Sequence, residues 1–298
     1  DFPEFELAIT IDRPELYYDF LQKDWTRFCH DYWKNNFLEH HTLSQKRVTR
    51  IYIGNQFCHN LFPRKELLFQ VLEKALENNL AVTLAFSYIR NHLLEEIDEL
   101  LQELEVWCQS REKEAGKDQE EIIVNDWAMP ILLQGKPHLK PVLGVLLNKR
   151  RKDVRLPYKH GIGNHVDSLA ENNLNCGFYQ DYLKNTFDIQ RFEFESCGYK
   201  VTIPDGHHSL HLPFFQTNTS QYCTLYAVCR YGDRGKQKLT ENCPRYCNKK
   251  VFLYPKHLKM VGRYNSLFGY DEKILWDEKQ LQDYLEQGIE RIVVNVSL

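Results

Sequence analysis

The strongest constraint on the fold is a repeated alternation of short apolar runs with segments of helical periodicity. The apolar run at 7–11 precedes a helical pattern over 12–33, and the run VTRIYIG at 48–54 precedes another over 65–78. Runs that are apolar on both faces are typical of strands buried between layers of helices. We therefore predict β-α-β units, whose right-handed connections place the carboxyl ends of the parallel strands on one face.

The same alternation continues to the end of the chain. Further strands are predicted at 80–86, 121–126, 140–148, 189–194, 199–204, 249–254 and 291–298, and further helices at 93–110, 167–186 and 278–287. This pattern predicts a TIM-barrel-like α/β fold, as a modified or incomplete parallel β/α barrel, with an open doubly wound sheet as the alternative. Because no break in composition divides the chain, we expect residues 1–298 to form a single barrel-like domain.

Composition limits the class of protein. The chain has 298 residues, of which 43% are hydrophobic, so it can bury a substantial core. The formal net charge of −3 gives no overall basic character, and nucleic-acid binding is not expected. No apolar run approaches the length of a membrane span. Nine irregularly spaced cysteines fit reduced thiols in the cytoplasm better than a disulfide framework.

Four of the nine cysteines lie in the cysteine-rich segment 223–247. Cys229, Cys243 and Cys247 have the spacing C-x13-C-x3-C, and the spacer is a polar, glycine-containing loop that can bring thiolates to one point. Converging thiolates indicate either a structural zinc ion or an iron–sulfur cluster. A single close pair with distant single cysteines favours the cluster over zinc. Packing inside the protein is the simpler interpretation for Cys29, Cys108, Cys176 and Cys197.

Two cysteine segments resemble a known family. GNQFCHN at 54–60 is similar to the strand-end cysteine segment of UbiV/UbiU-type proteins, and YAVC at 226–229 with ENCPRYC at 241–247 is similar to their downstream segment. These proteins belong to the collagenase-like U32 peptidase family. The resemblance implies a barrel-like fold and a 4Fe–4S cluster as cofactor. The ligands that it implies are Cys58, Cys229, Cys243 and Cys247, with Cys223 as the alternative fourth ligand in place of Cys58.

The resemblance also implies a function. Members of this type are linked to oxygen-independent hydroxylation, in ubiquinone synthesis and on RNA bases, with prephenate as oxygen donor. They often act with a second homologous subunit, so we expect a heterodimer partner and a small aromatic or quinone-precursor substrate. One alternative is a non-catalytic partner subunit that binds a structural zinc ion or cluster. A U32-type peptidase is a weaker alternative, because the sequence contains neither Gly-x-Ser-x-Gly nor His-Glu-x-x-His.

No residue is assigned a catalytic role from the sequence. The open face of a barrel should carry polar side chains that orient an anionic donor, and several follow predicted strands or loops. The candidates for substrate binding are Arg90, Asn91, Asp126, Asn148, His207 and His211. The last two belong to GHHSLH, where a solvated turn after Gly206 is the simpler interpretation and a second metal site the other.

Overall fold

A computed structural model describes residues 3–115, 119–156, 166–236, 238–240 and 242–297. Its strands, in chain order, are β1 (Glu6–Ile11), β2 (Val48–Gly54), β3 (Ala81–Ala85), β4 (Glu120–Val124), β5 (Leu139–Leu143), β6 (Glu193–Glu195), β7 (His208–Leu212), β8 (Phe214–Thr219), β9 (Phe252–Leu253), β10 (Met260–Arg263), β11 (Ser266–Tyr270) and β12 (Ile289–Val294). Its helices are α1 (Pro14–Gln22), α2 (Trp25–Asn35), α3 (Lys65–Glu77), α4 (Leu94–Ala115), α5 (Ala128–Leu132), α6 (Val166–Ala170), α7 (Gly177–Phe187), α8 (Thr224–Tyr231) and α9 (Glu278–Glu286).

Eight parallel strands form a sheet that is nearly closed into a barrel. Their spatial order is β5-β4-β3-β2-β1-β12-β7-β6. The two outer strands meet at a single parallel bridge between Leu143 and Phe192, where the Leu143 N–H donates to the carbonyl of Arg191 at 3.0 Å. This arrangement confirms the predicted TIM-barrel-like fold. None of residues 196–207, which join β6 to β7, is helical, so the barrel lacks one of the usual outer helices.

The outer faces of the strands pack on the helices. Ile9 and Ile51 are fully buried there, together with Leu68 and Val71 of α3, in the main hydrophobic core. Residues at alternate positions point into the barrel, as the period of two along a strand requires. The inward apolar residues form a separate small cluster of Ala8, Tyr52, Ala85, Ile123, Val142 and Val293. Among the described residues, no helix is long and apolar enough to cross a membrane.

A second, antiparallel sheet interrupts the barrel between β7 and α9. It has the strand order β8-β11-β10-β9, and we call residues 214–270 the insertion. Because the insertion leaves the barrel after the last residue of β7, it lies over the carboxyl face of the strands. The cysteine-rich segment 223–247 belongs to this insertion, with α8 at its start. The fold therefore brings the cysteine segment to the face where sites in β/α barrels gather.

The inside of the barrel contains an extended charged network. Arg291 is 2% exposed, and its guanidinium donates to Glu121 Oε2 at 2.7 Å, to Glu6 Oε2 at 2.5 Å and to the Tyr52 hydroxyl at 3.1 Å. Tyr52 in turn donates to Glu193 Oε1 at 2.7 Å. Strands β1, β2, β4, β6 and β12 are thus tied together through side chains as well as through the backbone.

Some predicted elements differ from the structure. Residues 199–204 form no strand. Of the strand predicted at 249–254, Phe252–Leu253 form a strand, which is β9. Strand β7 was not predicted, because the histidines of HHSLH were interpreted as a polar turn. The helix predicted over 12–33 is divided into α1 and α2, since Asp24 starts a new helix by accepting the Arg27 N–H at 2.9 Å.

We expect Glu121→Gln to lower the free energy of unfolding by about 3–5 kcal/mol at neutral pH, because the buried Arg291 would lose one of its two carboxylate partners and keep only Glu6. Burial alone raises the pKa of Glu121, but Arg291 and Arg50 outweigh burial and lower it from 4.5 to about 2. The carboxylate therefore stabilises the fold above pH 4.5, and that contribution is lost as the pH falls towards 2. Urea denaturation at several pH values measures both effects.

The matched control is Glu103→Gln, because Glu103 forms an exposed ion pair with Lys65 at 3.0 Å. Solvent screens this pair, so the control should remain much closer to wild type. Equal losses in the two variants, or a Glu121→Gln deficit that does not shrink below pH 4.5, would contradict the buried network.

Candidate metal centre

Cys58 is held by a short turn directly after β2. Gly54 ends the strand with a φ of 106°, and a Cβ there would lie 2.4 Å from the carbonyl oxygen of Ala85, so only glycine fits. The buried side chain of Asn55 then accepts the N–H groups of Phe57 and Cys58 through Oδ1, both at 2.9 Å. Cys58 itself is buried. This turn confirms the predicted position of Cys58 beyond the carboxyl end of a barrel strand.

The insertion supplies the other cysteines from two places. Cys223 is the N-cap of α8, where its Sγ accepts the Tyr226 N–H at 3.3 Å, and Cys229 lies in the last turn of the same helix. Cys243 is partly buried in the loop that follows, and Cys247 is buried in a 3-10 turn at 246–248. Contacts between α8 and this turn bring the two parts of the segment together.

An apolar cluster joins the insertion to the Cys58 turn. Its buried members are Phe57, Cys58, Leu61, Val145, Leu225, Cys247, Tyr264 and Phe268, and both Cys223 and Cys229 pack against it. The rings of Phe57 and Phe268 meet edge to face at 4.9 Å. Asn265 adds hydrogen bonds from Nδ2 to the carbonyls of Phe57 at 2.7 Å and Ser220 at 2.9 Å. Cysteines that are far apart in sequence therefore share one interface.

The charges of four thiols act on one another. Burial raises the pKa of Cys58 strongly, and negative charge on Cys223, Cys243 or Cys247 raises it further. Burial likewise raises the pKa of Cys223 to about 11, with added contributions from Cys243 and Cys247. We call Cys58, Cys223, Cys243 and Cys247 the thiol cluster. Cys229 packs against the same apolar cluster as Cys223.

The cysteines of the thiol cluster suit a metal ion or an iron–sulfur cluster, because both bind thiolates. Four thiols, of which Cys58 and Cys247 are buried and Cys223 and Cys243 partly buried, would repel one another as thiolates. A bound cation reverses this repulsion and deprotonates them. In the part of the chain that the structure describes, however, no three Cys, His, Asp or Glu side chains are arranged to hold a metal ion. The thiols are thus near one another without forming the compact tetrahedral shell of a zinc site, which needs sulfurs at about 2.3 Å from the metal.

A small cavity lies at the mouth of the barrel beneath the Cys58 turn. This mouth cavity has a volume of about 30 Å³, and its polar lining includes Asp12, Tyr52, Asn55, Gln56, Glu195 and His211. It has room for water but not for an aromatic molecule. A substrate of that size would have to lie above the cavity, between the barrel mouth and the insertion, or move the turn.

Asp12 connects this cavity to the thiol cluster. It lines the mouth cavity and also a cavity of about 10 Å³ that Cys247 and Tyr264 share. Asp12 Oδ1 and the Tyr264 hydroxyl are buried without a hydrogen-bond partner among the described residues. Burial raises the pKa of Asp12, although Arg13 and Arg263 oppose the rise. Asp12 was not predicted from the sequence, although it lies directly after β1.

His211 lies inside the barrel rather than in a solvated turn. It is 3% exposed in β7, its Nε2 is 3.0 Å from Glu193 Oε2, and it lines the mouth cavity. Burial raises the pKa of Glu193, but the hydrogen bond and charge of His211 outweigh burial and lower it. Glu193 was also missed, although the alternation of FEFE at 192–195 places both glutamates on the inner face.

The polar candidates near β3 and β4 mostly have structural contacts. The Arg90 guanidinium donates to the carbonyl of Gln221, two residues before Cys223, and thereby holds the insertion. Asp126 accepts the N–H groups of Ala128 and Met129 at 3.1 Å each, so it caps a short helix. Asn91 is exposed. Only Arg90 is therefore close to the cysteine segment.

Asn148 and His207 have different environments. Asn148 is buried and donates to the Glu193 carbonyl at 3.2 Å, while its Oδ1 has no partner among the described residues. His207 precedes β7, so it lies at the amino face of the barrel, where its Nδ1 is 2.7 Å from Glu290 Oε2. The expectation that His207 belongs to the open carboxyl face is wrong, because β7 begins at the very next residue.

The remaining cysteines lie outside the thiol cluster. Cys108 and Cys197 are buried, and Cys29 is partly buried with burial raising its pKa to about 12. Cys176 is exposed at the start of α7, so packing inside the protein does not describe it.

We expect Asn55→Ala to lower the free energy of unfolding by about 2–4 kcal/mol, because the buried N–H groups of Phe57 and Cys58 would lose the acceptor that Asn55 Oδ1 provides. The Cys58 turn should also open, so that iodoacetamide modifies Cys58 faster than in wild type. Urea denaturation and peptide mass spectrometry measure the two effects. Asn91→Ala, at an exposed asparagine, is the control; an Asn55 variant as stable as this control would contradict the account of the turn.

Comparisons with known proteins found no match to this chain. No family model matches it, no curated protein matches it, and no solved structure matches it. The similarity of its two cysteine segments to the U32 peptidase family therefore stays a prediction.

Proposed function

We propose that the chain is an iron–sulfur protein that acts as an oxygen-independent hydroxylase, or as one subunit of such an enzyme. The observation that carries the proposal is the meeting of Cys58, from the barrel, with cysteines of the insertion in one buried interface. A ligand set made only of cysteines is typical of 4Fe–4S clusters. One close pair of cysteines, with the other cysteines distant in sequence, favours a cluster over a zinc ion.

We propose Cys58, Cys223, Cys243 and Cys247 as the ligands. This choice keeps three of the ligands that the resemblance implies and replaces Cys229 with Cys223. The N-cap position supports Cys223, because the Tyr226 N–H already points to its sulfur and the amino end of a helix favours negative charge. Cys229 is six positions later on the same helix and so points to a different side.

The chain's own residues would bind and orient the substrate. A cluster with four cysteine ligands has no vacant position, which suits electron transfer or structural support. Asp12 and His211 line the mouth cavity and can orient a hydroxyl group or a water molecule beneath the substrate. Arg90 lies beside the insertion and can bind a carboxylate of the oxygen donor. A small aromatic or quinone-precursor substrate fits these groups, and a homologous subunit is the proposed partner.

A non-catalytic role is the second candidate. The thiol cluster links a barrel strand end to an inserted sheet, so a metal there would stabilise the fold even without turnover. On this alternative the chain is a partner subunit with a structural zinc ion or cluster.

Metal analysis of anaerobically purified protein tests the cofactor. We expect about four iron and four sulfide ions per chain. Single Cys→Ser changes at 58, 223, 243 and 247 should each remove most of the iron, whereas Cys229→Ser should retain it. Cys176→Ser is the matched control at an exposed cysteine.

Two results would contradict the proposal in different ways. One zinc per chain with no sulfide would rule out the cluster. Loss of iron in Cys229→Ser with retention in Cys223→Ser would restore the ligand set that the resemblance implies. An assay with prephenate and a homologous partner then separates the enzyme from the non-catalytic subunit, since the latter gives no product.

A further inference from the structure

Charge is distributed very unevenly along this chain. Residues 223–263 contain ten Lys and Arg but only two Asp and Glu, which is a formal charge of +8. Since the whole chain carries −3, all other residues together carry −11. A contrast of this size between two parts of one chain indicates a surface that binds an anionic partner.

Most of the positive charge is exposed on the insertion. We call the following residues the basic face: Arg230, Arg234, Lys236, Lys238, Lys249, Lys250, Lys256 and Lys259, all exposed. The Arg234 guanidinium lies 4.8 Å from the centre of the Phe252 ring, which joins the loop after α8 to β9. This contact brings a positive charge from before Cys243 next to the strand that follows Lys249 and Lys250.

Exposed aliphatic side chains lie within the basic face. Leu253 is 83% exposed, Leu239 is 52% exposed and Val251 is 42% exposed. Leu253 belongs to β9, which ends the antiparallel sheet and pairs only with β10 on one side. An apolar centre with a charged rim is typical of protein interfaces. Nucleic-acid bases stack on aromatic rings, and Tyr231, at 40% exposed, is less exposed than these three aliphatic residues.

A second copy of the chain does not suit this surface. Two-fold pairing would place one basic face against another, and like charges repel. If the basic face of one copy packed on the acidic residues outside the insertion of another copy, the contact would be head to tail. Such a contact generates an open chain of copies unless the rotation between them closes a ring. The occupant is therefore a different molecule with negative charge.

We propose that the basic face is the docking site of a small acidic electron-carrier protein whose carboxylates surround an apolar centre. The position supports this partner, because Cys223, Cys243 and Cys247 belong to the same insertion. The choice of an electron carrier rests on the proposed function, whereas the acidic, apolar-centred docking face rests on charge and exposure alone.

Binding of purified flavodoxin, an acidic flavin protein, and of a plant-type 2Fe–2S ferredoxin tests the proposal. Calorimetry should show that at least one of them binds at low ionic strength, and that binding weakens about tenfold or more when salt approaches about 0.5 M. Lys249→Glu with Lys250→Glu should weaken binding by a similar factor. Leu253→Ser should weaken it without changing the salt dependence.

The control carries two charge reversals outside the insertion, Lys34→Glu with Lys184→Glu, at exposed lysines of α2 and α7. This variant has the same net charge as the Lys249 and Lys250 variant, so unchanged affinity assigns the effect to the basic face. Binding of neither carrier, or equal losses in both double variants, would overturn the proposal. Circular dichroism checks that each variant is folded.

A fluorescent oligouridylate of about fifteen nucleotides is the competing probe. Tighter binding of this RNA than of either carrier, lost on charge reversal at Lys249 and Lys250, would overturn the proposal in favour of a nucleic-acid surface. Iron-loaded and iron-free protein are compared throughout. If a chain that proves to hold no iron binds a carrier, the proposed cluster is refuted and the docking face is retained. If an iron-loaded chain binds no carrier, the docking face is refuted and the cluster is retained.

Discussion

The buried charge of Arg291 is the constraint on which the barrel depends. A guanidinium in the barrel interior is tolerated only with full compensation, and Glu6, Glu121 and Tyr52 provide it from three other strands. Tyr52 extends the network to Glu193, which holds His211 at the mouth cavity. The polar interior thus fixes the relative positions of the strands. It also positions polar side chains at the carboxyl face, directly beneath the Cys58 turn.

The thiol cluster is an interface between two structural units. The barrel contributes Cys58 on a turn that depends on Gly54 and Asn55, and the insertion contributes the other thiols from the start of a helix and from a later loop. Apolar packing between Phe57 and Phe268 joins the two units. A metal group there would add to this packing and neutralise thiolates that otherwise repel one another.

Much of the barrel could be predicted because its strands are apolar on both faces, and the position of Cys58 followed from the rule that parallel strands end on one face. Strand β7 could not be predicted so easily, since His208 and His211 gave it a polar sequence although both are buried. Spacing alone also could not show which cysteines of the insertion face the Cys58 turn, because that depends on which side of α8 meets this turn. The net charge of the whole chain did not reveal the positive charge of the insertion, since the remainder of the chain is acidic.

Thiol-specific crosslinking can show whether Cys58 lies beside the cysteines of the insertion. Folded, metal-free, fully reduced protein is treated with dibromobimane, which joins only neighbouring thiols, and the linked peptides are identified by mass spectrometry. We expect a crosslink between the Cys58 peptide and a peptide that contains Cys223, Cys243 or Cys247. Crosslinks confined to the segment 223–247, with Cys58 unmodified or modified singly, would contradict this position of Cys58.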